Sequence, residues 1–162
     1  MLVVRLLEEY DYRNARGILE SRREEILAEI LRLLRDETYR LKLGASAGKL
    51  QNLSHQLQTY FGSFGWTLEA PLFTLPELRY DLLKQDVPIE IEIGHERLVY
   101  AVFFKFLADY SHHKIPAGVM IVTGNPKEFG HSWHNSLEST RRKIDAMASA
   151  LLVPILVLAI QP

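Results

Sequence analysis

The chain has 162 residues, a formal net charge of −1, 48% hydrophobic and 24% charged residues, and no cysteine. This length suits one compact domain, expected over residues 1–162, and the missing cysteines exclude disulfides, thiolate zinc sites and cysteine nucleophiles. The near-zero charge argues against a non-specific DNA coat protein but is compatible with a nuclease, in which an acidic site offsets a basic contact surface.

In chain order, MLVVRLLEEYDYR is interrupted by Arg5, Glu8 and Glu9 and does not read as a signal peptide, so a cytoplasmic protein is expected. Ser21 and Glu24 have the spacing of a capping box, which predicts a helix from there to about Arg35 with Ile26, Ile30, Leu33 and Leu34 as its apolar stripe. After the polar stretch LKLGASAGK, a second helix is expected over about 49–61, with Leu50, Leu53, Leu57 and Phe61 on one side and Gly62 and Gly65 ending it. GWTLEAPLF opens an extended region. LRYDLL and PIEIEI, joined by KQDV, then read as a β-hairpin. Helical spacing returns over 96–110, AGVMIVTG is an apolar strand, a helix is expected over about 135–150, and VPILVLAI is the last strand. The apolar run ALLVPILVLAI is too short to span a bilayer and contains a proline, so no membrane association is expected. The second half thus alternates strand, helix, strand, helix, strand, the grammar of parallel crossovers in an α/β fold, while the first half reads as helical.

Several motifs carry less than they suggest. GASAGKL fails as a phosphate loop: its glycines are one residue too close, Leu50 stands where Ser or Thr is needed, and a helix precedes it. Among the six histidines, His112 and His113 are adjacent and so point apart, which suits a helix end better than a metal. His131 and His134 could share a helical face but have no evident third ligand. No G-x-S-x-G elbow occurs. The basic run of Arg141, Arg142 and Lys143 reads as a solvated helix face, with phosphate contact as the alternative.

The hairpin holds the sharpest signal. In VPIEIEIG, Ile89, Ile91 and Ile93 alternate with Glu90 and Glu92. With Gln85 and Asp86 at the turn, Lys84 falls opposite Val87, Leu82 opposite Ile89 and Asp81 opposite Glu90. Opposed carboxylates at about 5 Å repel unless a cation is shared. Oxygen-only ligation suits magnesium or manganese, with Glu92 beside the pair to orient or deprotonate a water. The plain alternative is a half-exposed strand whose acids face water. On either reading, substitution of these exposed-strand acids is expected to change stability by no more than about 0.5 kcal/mol.

YDLLKQDVPIEIEIG resembles the catalytic signature of the PD-(D/E)XK nuclease superfamily, specifically its BglII-like and BamHI-like restriction endonucleases. Asp81 matches the aspartate of the first hairpin strand, Glu90 the first acid of the second, and Glu92 the position held by lysine in the wider superfamily and by Glu or Gln in this branch. Glu69, shortly after Trp66, looks like the further acid that the branch places before the hairpin. The resemblance covers roughly residues 20–160. Tyr80 precedes Asp81 where proline is usual, and the chain is short beside such enzymes, with little room for a sequence-reading apparatus. The resemblance implies a restriction-endonuclease-like mixed sheet, a hairpin plus parallel crossovers, flanked by helices. It implies Mg2+-dependent hydrolysis of phosphodiester bonds in double-stranded DNA by a homodimer, with Mn2+ as a substitute ion. Asp81, Glu90 and the Ile91 carbonyl would hold the ion, Glu92 would handle the water, Glu69 would be a fourth acid, and Lys42 and Lys49 would contact phosphates. The competing reading is a catalytically inactive member of the fold that serves as a DNA- or protein-binding module.

Overall fold

The computed structural model describes residues 2–41, 49–130 and 134–162. The chain begins with β1 (Leu2–Val3), β2 (Arg5–Tyr12), α1 (Ala15–Arg22), α2 (Glu24–Leu34) and β3 (Arg40–Leu41). The helix expected from Ser21 is therefore two helices. Ser21 lies in the last turn of α1, and the non-helical Arg23 (φ −144°, ψ 49°) separates the pair without a side-chain cap. Arg23 is held instead by two guanidinium bonds of 2.7 Å to Asp86, a contact that local capping chemistry does not foresee.

Next come α3 (Lys49–Gly62), β4 (Thr67–Pro71), β5 (Arg79–Lys84) and β6 (Val87–Ile91). Gly65, at φ 88°, makes the turn from α3 into β4, a conformation that a Cβ disfavours. Trp66 follows it into the core, 3% exposed, with its indole N–H on Glu29 at 2.7 Å. After a 3-10 turn come α4 (Val99–Ser111), β7 (Gly118–Thr123), α5 (Leu137–Ala146) and β8 (Ile155–Gln161). Helix α5 is shorter at both ends than its spacing predicts. Its start is fixed by a capping box in which the Ser136 hydroxyl and Ser139 exchange bonds. At the end of α4, His112 Nδ1 lies 3.0 Å from the Ala108 carbonyl, the helix-end role expected for it.

The six-stranded sheet has the order β2-β8-β7-β6-β5-β4. The crossovers β6-α4-β7 and β7-α5-β8 join parallel neighbours, while β2, β5 and β4 pair antiparallel. The short β1 pairs with β3 apart from this sheet. β2 is an addition to the sequence reading, which assigned helices alone to the first half. It is an acid-rich, largely exposed edge strand with a register shift between Leu6 and Glu8, so it shows little of the period-2 pattern that marks a strand.

Side chains of the central strands divide between two cores. Ile89, Ile91, Val119, Ile121, Leu156 and Leu158 pack under α1–α3, while Met120, Val122, Val157 and Ala159 pack under α4 and α5. Helices therefore cover both faces of the sheet. The wet strand face envisaged for the acids does not exist, since every residue of β6 is buried.

Candidate active site

β5 and β6 pair with Lys84 opposite Val87 and Leu82 opposite Ile89, the register predicted from the turn. Beyond Leu82 the ladder stops. Tyr80 packs into the α4-side core and Leu82 into the opposite one, so β5 turns over at Asp81. The Asp81 carboxylate substitutes for the lost strand partner and accepts the Ile91 N–H at 2.7 Å. Gln58 of α3 donates to its other oxygen at 3.4 Å. The next position on β6 is Glu90, 3% exposed and in hydrogen-bonding contact with Asp81. From α4, Lys105 reaches the same carboxylate, with Nζ 3.0 Å from Oε1.

Glu92 follows on the same face, half-buried, and its main chain is held on both sides. Its N–H donates to Ile121 O at 2.9 Å, and its carbonyl accepts the Asn135 side-chain amide at 2.8 Å. Asn135 is fully buried and bonded on every side of its amide and main chain: its own N–H donates to the Gly94 carbonyl, its Oδ1 accepts from the Ser139 and Thr140 hydroxyls, and its carbonyl accepts from the Thr123 hydroxyl. The start of α5 thereby pins the segment that leaves β6.

Burial raises all three carboxyls. For Asp81 the rise is opposed by the Ile91 amide, by the bond to Glu90 and by the charge of Lys105. Glu90 is pushed well above the carboxylate range by desolvation and the adjacent Asp81, with Lys105 pulling the other way. Glu92 rises to about 7, again from burial first and Asp81 second. The two carboxyls are thus coupled: the Asp81 charge raises Glu90, while the bond from Glu90 lowers Asp81.

Asp81, Glu90 and Glu92 are therefore brought together. Glu69 stands across β4 and β5 from Asp81, between the Leu68–Leu82 and Ala70–Tyr80 pairs. It is exposed, however, with a left-handed backbone (φ 51°), and its carbonyl takes Arg79 Nη1 at 2.8 Å. Lys42 and His131 lie outside the described residues. Lys49 opens α3, with its side chain outside the described set. Arg141 lies over the Tyr10 ring at 5.0 Å, and Lys143 is 3.4 Å from Glu96.

Among the described residues, no three His, Cys, Asp or Glu side chains converge to ligate one ion. The carboxylate part of any ion site here is thus the Asp81–Glu90 pair. Two hard oxygen donors in contact and short of positive charge fit a Mg2+ or Mn2+ ion, which keeps several waters and needs few protein ligands.

Sequence reasoning missed Lys105, Asn135 and Gln58. Lys105 did carry a signal, being a lysine set among Val102, Phe103 and Phe106 on an apolar helix. Asn135 and Gln58 carried none, because their partners lie far away in the sequence.

A family model described as "Restriction endonuclease BglII/BglIII" matches residues 7–160. Among solved structures, the chain is similar to "restriction endonuclease BGLII complexed with DNA 16-mer", with a TM-score of 0.68 and 15% identity over 98% of this chain and 76% of that one. That likeness carries the fold: a mixed sheet between helices. No curated protein matches the chain. With a family match over nearly its whole length, the chain belongs to the BglII/BglIII restriction endonuclease family.

Proposed function

We propose that this chain, as one domain over residues 1–162, hydrolyses phosphodiester bonds in double-stranded DNA with Mg2+, for which Mn2+ can substitute. The observation that carries the reading is the Asp81–Glu90 pair, two carboxylates in contact, Glu90 buried and Asp81 half-buried, where the hairpin ladder opens. Asp81, Glu90 and the Ile91 carbonyl would hold the ion. What such an ion supplies is charge stabilisation at the phosphate and a lowered pKa for a neighbouring water.

The chain's own residues do the rest. The Ile91 amide fixes Asp81, and Asn135 fixes the backbone from which Glu92 projects. Glu92, with its pKa raised to about 7, is poised to accept a proton near neutral pH. As the water oxygen bonds to phosphorus, one P–O ester bond breaks and its electron pair leaves with the departing oxygen. The water's proton passes to Glu92, and the departing oxygen takes up a proton from solvent. Glu69, exposed at the rim, is the proposed outer acid, and Lys42 and Lys49 are the proposed phosphate contacts.

A homodimer is part of the same proposal, because a two-fold pair places one site on each DNA strand. Leu98, Tyr100 and Phe104, each more than half exposed on or just before α4, offer an apolar face for the second copy. Light scattering should find a dimer, and a monomer at high concentration would count against it.

Nicking of supercoiled plasmid tests the activity. It should require Mg2+ or Mn2+ and vanish with EDTA and in Glu90→Ala. Activity that survives both would place the chemistry elsewhere.

A further inference from the structure

Among the described residues, Lys105 is the one cation whose charge bears on Asp81, Glu90 and Glu92 alike. It sits next to the buried positions Val102, Phe103 and Phe106 of α4, which are at most 1% exposed. A lysine there is a poor structural choice, because an apolar residue would fill the space without desolvating an ammonium. Its side chain nevertheless keeps 21% exposure, so it is not sealed into the core. Of its three N–H donors, one is directed at Glu90 Oε1, and no other acceptor for the ammonium occurs among the described residues.

The charge balance gives this placement a meaning. Three ionised carboxylates carry −3, a divalent ion adds +2 and Lys105 adds +1, which brings the site to zero. Without Lys105 the same site would keep a negative charge and repel the phosphodiester it must bind.

We infer that Lys105 is a catalytic residue of this site: held by Glu90, its ammonium meets a non-bridging oxygen of the scissile phosphodiester. The inference rests on the hydrolytic reading above. Lys105 transfers no proton in that reaction and remains an ammonium, offsetting the charge that the phosphoryl oxygens carry in the transition state. Glu90 Oε1 takes the lysine, and Glu90 and Asp81 would together still hold the ion.

The test uses the full chain with Lys105→Met, which keeps an apolar stem, and Lys105→Arg, which keeps the charge. Three quantities are measured: plasmid cleavage at saturating Mg2+, duplex binding in Ca2+, and melting temperature with and without Mg2+. Lys105→Met should lose about 100-fold or more in turnover while Mg2+ still raises its melting temperature. Lys105→Arg should recover about tenfold of that loss, which a purely structural role would not give. Lys105→Met turning over within about threefold of wild type, or a deficit cured by more Mg2+, overturns the inference. Cleavage that survives Glu90→Ala overturns the site reading itself, whereas cleavage that needs Glu90 but not Lys105 overturns only this step. Wild-type protein that binds duplex in Ca2+ yet never cuts in Mg2+ or Mn2+ removes the reaction and the role of Lys105 with it.

Discussion

Two buried acids, Asp109 on α4 and Glu90 on β6, belong to one framework and are treated oppositely. Asp109 stands four residues after Lys105 on α4, and its partner Tyr80 immediately precedes Asp81 on β5. Asp109 is 0% exposed and accepts four bonds: the Phe73 and Thr74 N–H groups at 3.0 and 2.9 Å, and the Thr74 and Tyr80 hydroxyls at 2.7 and 2.8 Å. Each partner is a donor, so the charge is solvated by the fold and ties the segment before β5 to α4. Glu90, 3% exposed, faces a second carboxylate and a single lysine. Burial is the same at both places. What distinguishes the structural acid from the proposed catalytic one is whether the surroundings supply donors or another acid.

This contrast can be broken experimentally. The largest effect should come from Glu90→Ala, where cleavage falls by about a thousandfold or more while the fold persists, because the change also removes a like-charge conflict. Plasmid nicking and circular dichroism measure the two halves of that statement, and a variant that loses its fold together with its cleavage would erase the distinction. Glu92→Ala should cost about 100-fold in turnover, as expected for loss of a proton acceptor, with Glu92→Lys keeping partial activity. Equal activity of Glu92→Ala and wild type would remove Glu92 from the chemistry.

The counterpart change, Asp109→Ala, leaves four donors without their acceptor and should cost roughly 3 kcal/mol in urea denaturation. Its folded fraction should still cleave DNA. A loss below about 0.5 kcal/mol would mean that those bonds do not hold the loop.

The smallest effect concerns pH. Asp81, Glu90 and Glu92 all have folded pKa values above their ordinary ones, so the folded chain binds more protons than the unfolded one. Their contribution to stability is full below the unfolded values near 4 and is lost as pH rises through the folded ones, that of Glu92 at about 7. Metal-free protein should therefore melt roughly 5 °C lower at pH 8 than at pH 5.5, and Mg2+ should raise the melting temperature more at pH 8. The reverse order would show that the cluster is not protonated in the folded state.

The strands and helices that the sequence revealed are those whose period survives in isolation. The Asp81–Glu90 strand pairing implied by the hairpin does not form, because β5 turns over at Asp81 and the two acids meet through their side chains. The hairpin register from Lys84 to Leu82 did follow from a two-residue turn and strict alternation. The apolar strands β7 and β8 and the stripes of α3 and α4 were legible for the same reason. The break between α1 and α2 was not, because it depends on Arg23 reaching Asp86. Nor was β2, whose exposed, acid-rich side chains leave its pairing with β8 as the main sign of a strand.

Which residues of β6 share a face was thus settled by the sequence, since alternation is a property of neighbouring residues. Whether that face met water was not. The tertiary structure laid α4 over it, buried Glu90, pushed Glu92 to about 7 and brought Lys105 to the acids. The small effect on stability expected of Glu90 as an exposed residue is withdrawn on that ground. The physical reason is that a carboxylate's energy depends on the charges and solvent around it, and these come from elements distant in the chain.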